Sequence, residues 1–301
     1  MGTDTQPEIN GLIRGKSKKI KDPAGRTVQI LEDTHAEEIA VTLRCSVHEV
    51  YVEAMRLGIS PYRYLRNRDS ISLDEQLELA ESQVSVVGAG GLGGQVILLL
   101  ARVGIGHLIV VDADSFDETN LNRQALSSTL SLGMPKAEEA AGMVHAINPG
   151  VKVTPYRAKI DSANAAKMLG GSHVVVDALD SVPDRLMLEL ETKRLGIPLV
   201  HGAIAGFGGQ LMTVYPNDRG LKLLYRGEGM ERADPTSPES VLGIPTVTPA
   251  LIGALEAMEV LKIVLKRGTV FRNTMVYADL EGGELNRFTF ENNDPAKRKG
   301  R

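Results

Sequence analysis

A glycine-rich turn between an apolar strand-like run and an apolar helix-like run limits the fold more than any other feature of this sequence. The stretch VSVVGAGGLGGQVILLL (84–100) has the spacing Gly-x-Gly-x-x-Gly at Gly88, Gly90 and Gly93. The first glycine permits the sharp bend, the second lets a phosphate approach the backbone, and the third lets the helix pack closely on its strand. The free N–H groups at the start of the helix then attract an anion. The segment predicts a nucleotide-binding strand–turn–helix unit, but it does not identify the nucleotide.

Strand-like and helix-like segments alternate along the chain from this point. Strands are predicted over 84–87, 107–111, 151–156, 173–177 and 198–201, and helices over 92–103, 135–147, 162–169 and 182–195. This alternation is typical of a parallel sheet with helices on both faces. Further along, 209–225 and 270–290 have the pattern of antiparallel strands, and 247–266 that of an amphipathic helix. The predicted fold class is α/β, a Rossmann-like, mostly parallel sheet that continues into antiparallel strands, with a small N-terminal extension.

Composition and pattern divide the chain into three predicted regions. Residues 1–61 are an N-terminal extension of short strands and helices, 62–290 are the main domain, and 291–301 are a basic tail. Within the extension, KKIK and TVQIL flank the turn signal KDPAGR, and two short helices are predicted around RCS. Segment 226–246 is rich in Gly, Pro, Ser and charge, and we expect a mobile loop there, near the active site.

Composition also excludes several classes of protein. The formal net charge of −4 gives no general attraction for nucleic acid, and acidic residues outnumber basic ones around the two short helices, which argues against a DNA-binding helix-turn-helix. No apolar run approaches the roughly 18 residues of a membrane span, and the polar start lacks the apolar stretch of a signal peptide. The single cysteine, Cys45, excludes an internal disulfide framework and a thiolate-rich zinc site. We therefore expect a cytoplasmic protein without nucleic-acid or membrane partners.

Polar residues after the second predicted strand narrow the choice of nucleotide. Asp112 ends that strand, where a carboxylate accepts hydrogen bonds from the ribose of either NAD or ATP. Four more candidates follow on the carboxyl-terminal side of the sheet: Asn120, Arg123, Gln124 and Lys136. Either cation alone would more often be a solvated surface charge. Two cations and two amides at one edge suit a triphosphate better than the two phosphates of a dinucleotide, and they favour ATP.

The chain resembles the MoeB/ThiF/HesA family of ubiquitin-activating-enzyme-like adenylyltransferases from about Tyr62 to Phe290. The motifs that carry the resemblance stand in the family's order: RYLRN (63–67), GAGGLG (88–93), DADSFDETNLNRQ (112–124), GMPKAE (133–138), INP (147–149), VVDALDS (175–181), PLVHGAIAGFGGQ (198–210) and ALIGALEAMEVLK (250–262). Members of this family use ATP and Mg²⁺ to adenylate the C-terminal Gly-Gly carboxylate of a ubiquitin-like carrier, such as a MoaD- or ThiS-like sulfur carrier. The resemblance implies the same reaction, cofactors and partner for this chain.

The resemblance also implies which residues form the site. The catalytic candidates are Arg66, Arg123, Lys136 and Asp180. The nucleotide-binding candidates are Gly88, Gly90, Gly91, Gly93, Asp112, Asn120, Arg123, Gln124, Lys136 and Ser181. Asp180 is the implied Mg²⁺ ligand, since a hard cation prefers oxygen ligands, whereas Asp177 within the strand is expected to be structural. Arg66 matches a family arginine that reaches the ATP of the neighbouring subunit, which implies a homodimer.

Two departures from the family's pattern limit the predicted chemistry. Many relatives carry two C-x-x-C pairs that bind a structural zinc; this chain has LYRG (224–227) at the first position and no cysteine near the second, so no zinc is expected. Some relatives carry a covalent cysteine in the crossover loop, and segment 226–246 contains none. We therefore predict that the reaction stops at the acyl-adenylate and that a separate sulfur donor or acceptor takes the next step.

Alternatives to the adenylation reaction stay open at this point. The chain could bind ATP and a carrier as a scaffold without turnover, or it could be an NAD(P)-dependent oxidoreductase or an ATP-dependent dehydratase of the same superfamily. The sequence does not name the carrier or the pathway. Cys45 also has two interpretations: Arg44 and His48 beside it would lower the thiol pKa and favour a reactive thiolate, whereas a buried thiol acts as a small, inert hydrophobe.

Overall fold

The computed structural model describes residues 6–225 and 238–290. Its helices are α1 (Gln6–Lys16), α2 (Asp33–Leu43), α3 (Val47–Arg56), α4 (Leu73–Ala80), α5 (Gly91–Val103), α6 (Lys136–Ile147), α7 (Ala165–Leu169), α8 (Val182–Leu195), α9 (Pro238–Leu242) and α10 (Val247–Val264). Its strands are β1 (Lys18–Lys21), β2 (Thr27–Leu31), β3 (Ser60–Pro61), β4 (Gln83–Val87), β5 (His107–Val111), β6 (Lys152–Tyr156), β7 (Val174–Asp177), β8 (Leu199–Ala205), β9 (Gly208–Val214), β10 (Thr274–Asp279) and β11 (Glu284–Thr289). Short 3₁₀ turns lie at Tyr62–Tyr64, Glu118–Asn120 and Gly220–Leu223.

An eight-stranded sheet runs in the order β11-β10-β9-β8-β7-β4-β5-β6. Strands β4 to β8 are parallel, and β9, β10 and β11 are each antiparallel to their neighbours. The chain moves from β4 outward to β6 and then returns to β7 on the other side of β4. Such a reversal of strand order opens a crevice at the carboxyl ends of the strands. The predicted α/β fold, with a parallel sheet that continues into antiparallel strands, is confirmed.

Two apolar layers cover the faces of this sheet. On one face, α5 and α10 pack against the strands, and Val96, Leu100 and Val260 are fully buried in that layer. On the other face, α8 packs against β7 and β8, and Leu188 and Leu199 are fully buried there. Because both faces are covered, β4, β5 and β7 are near-continuous apolar runs rather than alternating ones. The carboxyl ends of these strands are therefore held on a rigid, dry core.

The N-terminal residues form a second, smaller core around a three-stranded sheet. Strand β2 pairs antiparallel with β1 and parallel with β3. Ile39 and Tyr51 from α2 and α3 are buried in this core, and so are Tyr64 and Ala80, which lie beyond residue 61. Since the small core uses residues on both sides of that point, the domain division at 61/62 stays a prediction. The proposed basic tail, 291–301, lies outside the described residues.

The helical break at RCS is confirmed. Helix α2 ends before Arg44, which adopts a left-handed conformation with φ 52°. Helix α3 begins after Ser46, whose hydroxyl accepts from the Glu49 N–H while the Glu49 carboxylate accepts from the Ser46 N–H. This reciprocal cap satisfies two N–H groups that a helix start leaves unpaired. The sequence therefore specifies the end of one helix and the start of the next within three residues.

Other elements differ from the prediction. Strand β9 ends at Val214 and a 3₁₀ turn follows at Gly220–Leu223, so the predicted strand over 209–225 is wrong in its second half. Of the predicted loop, 226–237 lies outside the described residues, whereas 238–242 is helix α9 rather than loop. Helices α1 and α4 were not predicted: α1 is mostly polar, and α4 has only eight residues but begins with a capping box at Ser72 and Glu75.

Candidate active site

An open cavity of about 250 Å³ lies at the carboxyl ends of β4, β5 and β7. The predicted site residues that line it are Gly88, Gly90, Gly91, Asp112, Arg123, Gln124, Lys136 and Asp180. Its apolar wall includes Leu92, Ile204 and Ile244. The cavity therefore joins a glycine-rich turn, two cations and two carboxylates at the topological switch point of the sheet, where ligands bind in folds of this class.

The glycine turn has the geometry that its spacing predicts. Gly88 has φ 98°, and a Cβ there would lie 2.5 Å from the Ala178 carbonyl oxygen. A Cβ on Gly93 would lie 1.8 Å from the Gly88 carbonyl oxygen, so that position must be glycine for α5 to approach its strand. By contrast, a Cβ on Gly90 would meet nothing closer than the Gln124 side-chain nitrogen at 3.7 Å. Gly88 and Gly93 are required by packing, whereas Gly90 leaves space for a ligand beside the start of α5.

Asp112 holds the glycine turn through two backbone hydrogen bonds. Its Oδ2 accepts from the Ala89 N–H at 2.7 Å, and its Oδ1 accepts from the Asp114 N–H at 2.8 Å. Burial raises the pKa of Asp112, although these two hydrogen bonds and the charge of Lys136 oppose that shift. Each carboxylate oxygen has a second lone pair, so Asp112 retains the capacity to accept a ribose hydroxyl.

Lys136, Arg123 and Gln124 form the polar side of the cavity. Lys136 begins α6, is only 7% exposed, and lies 3.3 Å from the exposed carboxylate of Asp114. The Arg123 guanidinium donates to the Thr119 carbonyl oxygen at 2.6 Å. Gln124 is buried, and its Oε1 has no hydrogen-bond partner among the described residues. A buried amide oxygen without a partner at a cavity wall is an acceptor that a hydroxyl or N–H group of a bound ligand would satisfy.

Asp180 lies on the turn between β7 and α8, where its side chain is exposed and lines the cavity. No described residue forms a hydrogen bond or an ion pair with its carboxylate. The described ranges contain no group of three or more His, Cys, Asp or Glu side chains that could hold a metal ion. A single carboxylate suits Mg²⁺, which usually keeps several waters and binds one or two carboxylates together with substrate phosphates. The site therefore fits a nucleotide-bound Mg²⁺ better than a permanently bound metal.

Four predicted site residues do not line the cavity: Gly93, which packs against the Gly88 carbonyl oxygen, and three polar residues. Arg66 is exposed and follows the 3₁₀ turn at Tyr62–Tyr64. Ser181 caps α8: its hydroxyl accepts from the Asp184 N–H and donates to an Asp184 carboxylate oxygen at 2.7 Å. Asn120 is buried, and its Oδ1 accepts from the Asp117 N–H at 3.1 Å. The local contacts of Ser181 and Asn120 account for their presence, and all three roles in nucleotide binding stay predictions.

Two cations that the sequence reasoning missed also line the cavity, namely Lys159 and Arg185. Lys159 follows β6, and its Nζ lies 3.3 Å from an Asp184 carboxylate oxygen. Arg185 is 3% exposed and donates from Nε and Nη2 to the Leu179 carbonyl oxygen at 3.0 and 2.7 Å. A signal for Lys159 was present, because it follows a parallel strand just as Asp112 does. Arg185 follows Ser181, the residue that caps α8, by four positions. Residues four apart lie on the same face of a helix, so this spacing places Arg185 near the turn between β7 and α8.

Cys45 lies half-buried against the N-terminal core, far from the cavity along the chain. Burial, followed by the negative charge of Glu49, raises the pKa of its thiol. The idea that Arg44 and His48 lower this pKa is therefore wrong. The environment favours the neutral thiol, which is the inert form.

The sequence profile of the ThiF family matches residues 64–299. The chain belongs to the ThiF family. It is 39% identical over 221 residues to the SAMP-activating enzyme E1 of Haloferax volcanii, covering 72% of this chain and 80% of that protein. It is 35% identical over 224 residues to the sulfur carrier protein adenylyltransferase of Thermus thermophilus, covering 72% and 82%. These matches confirm the resemblance that the motifs indicated.

Two further matches extend the comparison of this ThiF-family chain. It is 34% identical over 289 residues to the adenylyltransferase and sulfurtransferase MOCS3 of Arabidopsis thaliana, covering 92% of this chain but only 61% of that longer protein. A crystal structure of E. coli MccB with ATP superimposes with a TM-score of 0.63 at 18% identity, covering 84% of this chain and 82% of that one. At this identity, the structural match shows a shared fold. None of the helices within 6–225 and 238–290 has the length and apolar content needed to cross a bilayer.

Proposed function

We propose that this protein is an ATP-dependent adenylyltransferase that acts on the C-terminal carboxylate of a ubiquitin-like sulfur carrier protein and releases pyrophosphate. One observation carries the proposal: the glycine turn, Lys136, Arg123 and the carboxylate of Asp180, which has no partner within 6–225 and 238–290, line the same cavity. The relatives support it, since one is named a sulfur carrier protein adenylyltransferase and another a SAMP-activating enzyme E1.

The reaction needs positive charge more than it needs a base. A carboxylate is already ionised at neutral pH, so its oxygen can attack the α-phosphorus of ATP without losing a proton first. A new bond forms between that oxygen and the α-phosphorus, the bond from the α-phosphorus to the bridging oxygen of the β-phosphate breaks, and pyrophosphate leaves with the electron pair. The obstacle is the repulsion between two anions. Cations held in a fixed pocket reduce that repulsion and favour the transition state.

The position of each cavity residue indicates its role in adenylation. The N–H groups at the start of α5 and the cations Lys136 and Arg123 neutralise phosphate charge, and Gln124 donates a hydrogen bond to a phosphate oxygen. Asp112 accepts from the ribose. Asp180 would hold Mg²⁺, which supplies further positive charge to the phosphates when it is bound.

Residues outside the cavity complete the proposal. Asn120 and Ser181 support the phosphate side through their neighbours, whereas Gly91, which does line the cavity, lies against the nucleotide. Arg66 acts on the ATP of a second copy of the chain, so the active form is a homodimer. No zinc is required, because the sequence lacks the C-x-x-C pairs. The reaction ends at the acyl-adenylate, because the sequence has no cysteine in the crossover segment, 226–246. The cytoplasmic location inferred from composition remains a prediction.

Exchange of labelled pyrophosphate into ATP tests this function. Each ubiquitin-like carrier of the source genome is incubated with the protein, ATP and Mg²⁺, and the same carrier without its last glycine serves as the control. We expect exchange only with a full-length carrier. Binding of ATP and carrier without exchange would indicate a scaffold instead. Binding of NAD without exchange would indicate an oxidoreductase.

A further inference from the structure

A chain of buried polar groups lies directly beneath the turn that carries Asp180. Asp177, at the end of β7, and His201, on β8, are both fully buried. The Asp177 Oδ2 lies 2.7 Å from the His201 Nδ1, and the His201 Nε2 lies 3.1 Å from the Tyr225 hydroxyl. The parallel pairing of β7 with β8 places Asp177 directly beside His201. This pairing joins residues that are 24 positions apart in the sequence.

The direction of each hydrogen bond in this chain follows from counting donors. The Tyr225 oxygen accepts from the Arg185 Nη1 at 3.0 Å and from the Gln210 Nε2 at 2.9 Å, which occupies both of its lone pairs. Its own hydrogen must therefore point to the His201 Nε2. Since that nitrogen is the acceptor, the Nδ1 of a neutral imidazole carries the proton and donates to Asp177. Burial lowers the pKa of His201 and favours this neutral form.

The same groups hold both backbone polar groups of one residue in the turn, Leu179. The Leu179 N–H donates to the Asp177 Oδ1 at 3.1 Å, and the Leu179 carbonyl oxygen accepts twice from Arg185. Asp177, His201, Tyr225, Arg185 and Leu179 thus form a closed hydrogen-bonded cycle, called the polar cycle below. Asp180 is the next residue along the chain. Because no described side chain holds its carboxylate, its position depends on this backbone.

We propose that His201 and Tyr225 are positioning residues for adenylation, which act by fixing the backbone of Leu179 and, through it, the carboxylate of Asp180. This inference rests on the proposed function. The sequence reasoning assigned no role to either residue. The polar cycle pairs the positive charge of Arg185 with the negative charge of Asp177, so it can lie in the protein interior without a net charge.

The variant Tyr225→Phe opens the polar cycle at a single atom, the Tyr225 hydroxyl oxygen. Phenylalanine keeps the edge-to-face contact with the His201 ring, at 5.7 Å between centroids, and the position under the Arg185 guanidinium. It removes the hydroxyl and with it the hydrogen bonds to Arg185, His201 and Gln210. We expect kcat for carrier-dependent pyrophosphate exchange to fall roughly 10- to 100-fold, as is typical when a supporting group is removed and a reacting group shifts. The KM for ATP should stay unchanged, because the glycine turn and Lys136 are intact.

Hydrogen–deuterium exchange provides a readout that does not depend on activity. In the nucleotide-free protein, the amide of Leu179 should exchange faster in Tyr225→Phe than in the wild type, measured on a peptide that spans 174–185. Tyr277→Phe is the matched control, since Tyr277 is an exposed tyrosine on β10, and it should change neither kcat nor exchange. Wild-type exchange at Leu179 in Tyr225→Phe would overturn the proposal. If the wild type adenylates no carrier, the proposed function fails, while the Leu179 result still decides whether the polar cycle fixes the turn.

A second variant tests whether the polar cycle acts as a unit. His201→Asn keeps an N–H donor toward Asp177 but cannot reach Tyr225. It should lower kcat as Tyr225→Phe does, and the double variant should be no worse than the more impaired single variant, because both changes break the same cycle. Losses that multiply in the double variant would refute a shared role. His201→Asn also keeps the test available if Tyr225→Phe does not fold, as judged by thermal melting.

Discussion

Glu256 on α10 is a buried carboxyl group whose ionisation should oppose folding. Its side chain is fully buried, and neither carboxyl oxygen has a hydrogen-bond partner among the described residues. Burial and then the negative charge of Asp177 raise its pKa well above the ordinary value of 4.5, against the attraction of Arg185. The folded protein therefore keeps Glu256 protonated at a pH where the unfolded chain ionises it.

The size of this effect follows from proton linkage. Between the two pKa values the folded state binds one more proton than the unfolded state, so the free energy of unfolding falls by about 1.4 kcal/mol per pH unit. Below pH 4.5 Glu256 is protonated in both the folded and the unfolded state, so its burial causes no pH-dependent loss of stability. This loss of unfolding free energy grows as the pH rises toward the folded pKa. Glu256→Gln has a neutral side chain of similar size. Between pH 5 and the folded pKa of Glu256, its unfolding free energy relative to the wild type should rise by about 1.4 kcal/mol per pH unit.

Guanidinium unfolding curves at pH 5, 6 and 7 measure this difference. Glu259→Gln is the matched control, because Glu259 is equally buried on the same helix but has partners. Its Oε2 accepts from the Thr213 hydroxyl at 2.5 Å and from the Phe271 N–H at 2.8 Å, and Lys262 pairs with its Oε1. Glu259→Gln should destabilise the protein across this range, since it breaks an ion pair. Parallel pH dependences for the wild type and Glu256→Gln would refute the reasoning.

Three other predictions concern the site and the thiol. Asp180→Ala should abolish carrier-dependent pyrophosphate exchange without lowering the melting temperature, since the side chain is exposed and has no described partner; exchange at the wild-type rate would remove Asp180 from the site. Inactive Arg66→Ala mixed with inactive Lys136→Ala should regain partial activity, because a mixed dimer contains one intact site; continued inactivity after proven subunit exchange would contradict action across the dimer. Cys45→Ser should keep adenylation and lose at most about 1 kcal/mol of stability. A carrier adduct on a non-reducing gel that appears in the wild type and is absent from Cys45→Ser would show instead that this thiol takes part.

The sequence alone predicts the parallel part of the fold, because its signals are local. A glycine turn, an apolar run and a helix start within 84–100 specify β4, α5 and their packing through contacts between near neighbours. Helices α8 and α10 were predicted to within two residues of their observed ends. The capping residues around α2 and α3 likewise act within one turn of helix. Such features are visible in the sequence because they depend on the spacing of residues that are close together along the chain.

Tertiary structure decides the elements and roles that depend on distant partners. The second half of 209–225 has the composition of a strand but forms a 3₁₀ turn, where Leu221 packs beneath α8 and its N–H donates to Glu189. Ser181 and Asn120 match the family motif, yet their nearest groups are their own helix starts rather than the cavity. Propensity and motif do not resolve these cases, because tertiary contacts outweigh the small local preferences.

The candidate site likewise contains residues that the sequence identifies and residues that only the tertiary structure connects. Asp112 and Lys136 were predicted from their place at or after the second strand, at the edge where parallel strands end together, and Asp180 was implied by its place in the family motif VVDALDS. Nothing near His201 or Tyr225 in the sequence marks them as linked to Asp180. Their connection exists only because β7 and β8 pair side by side and the chain returns to them after β9. A buried polar group must find its partner wherever the fold places one, so partners far apart in sequence leave no local pattern.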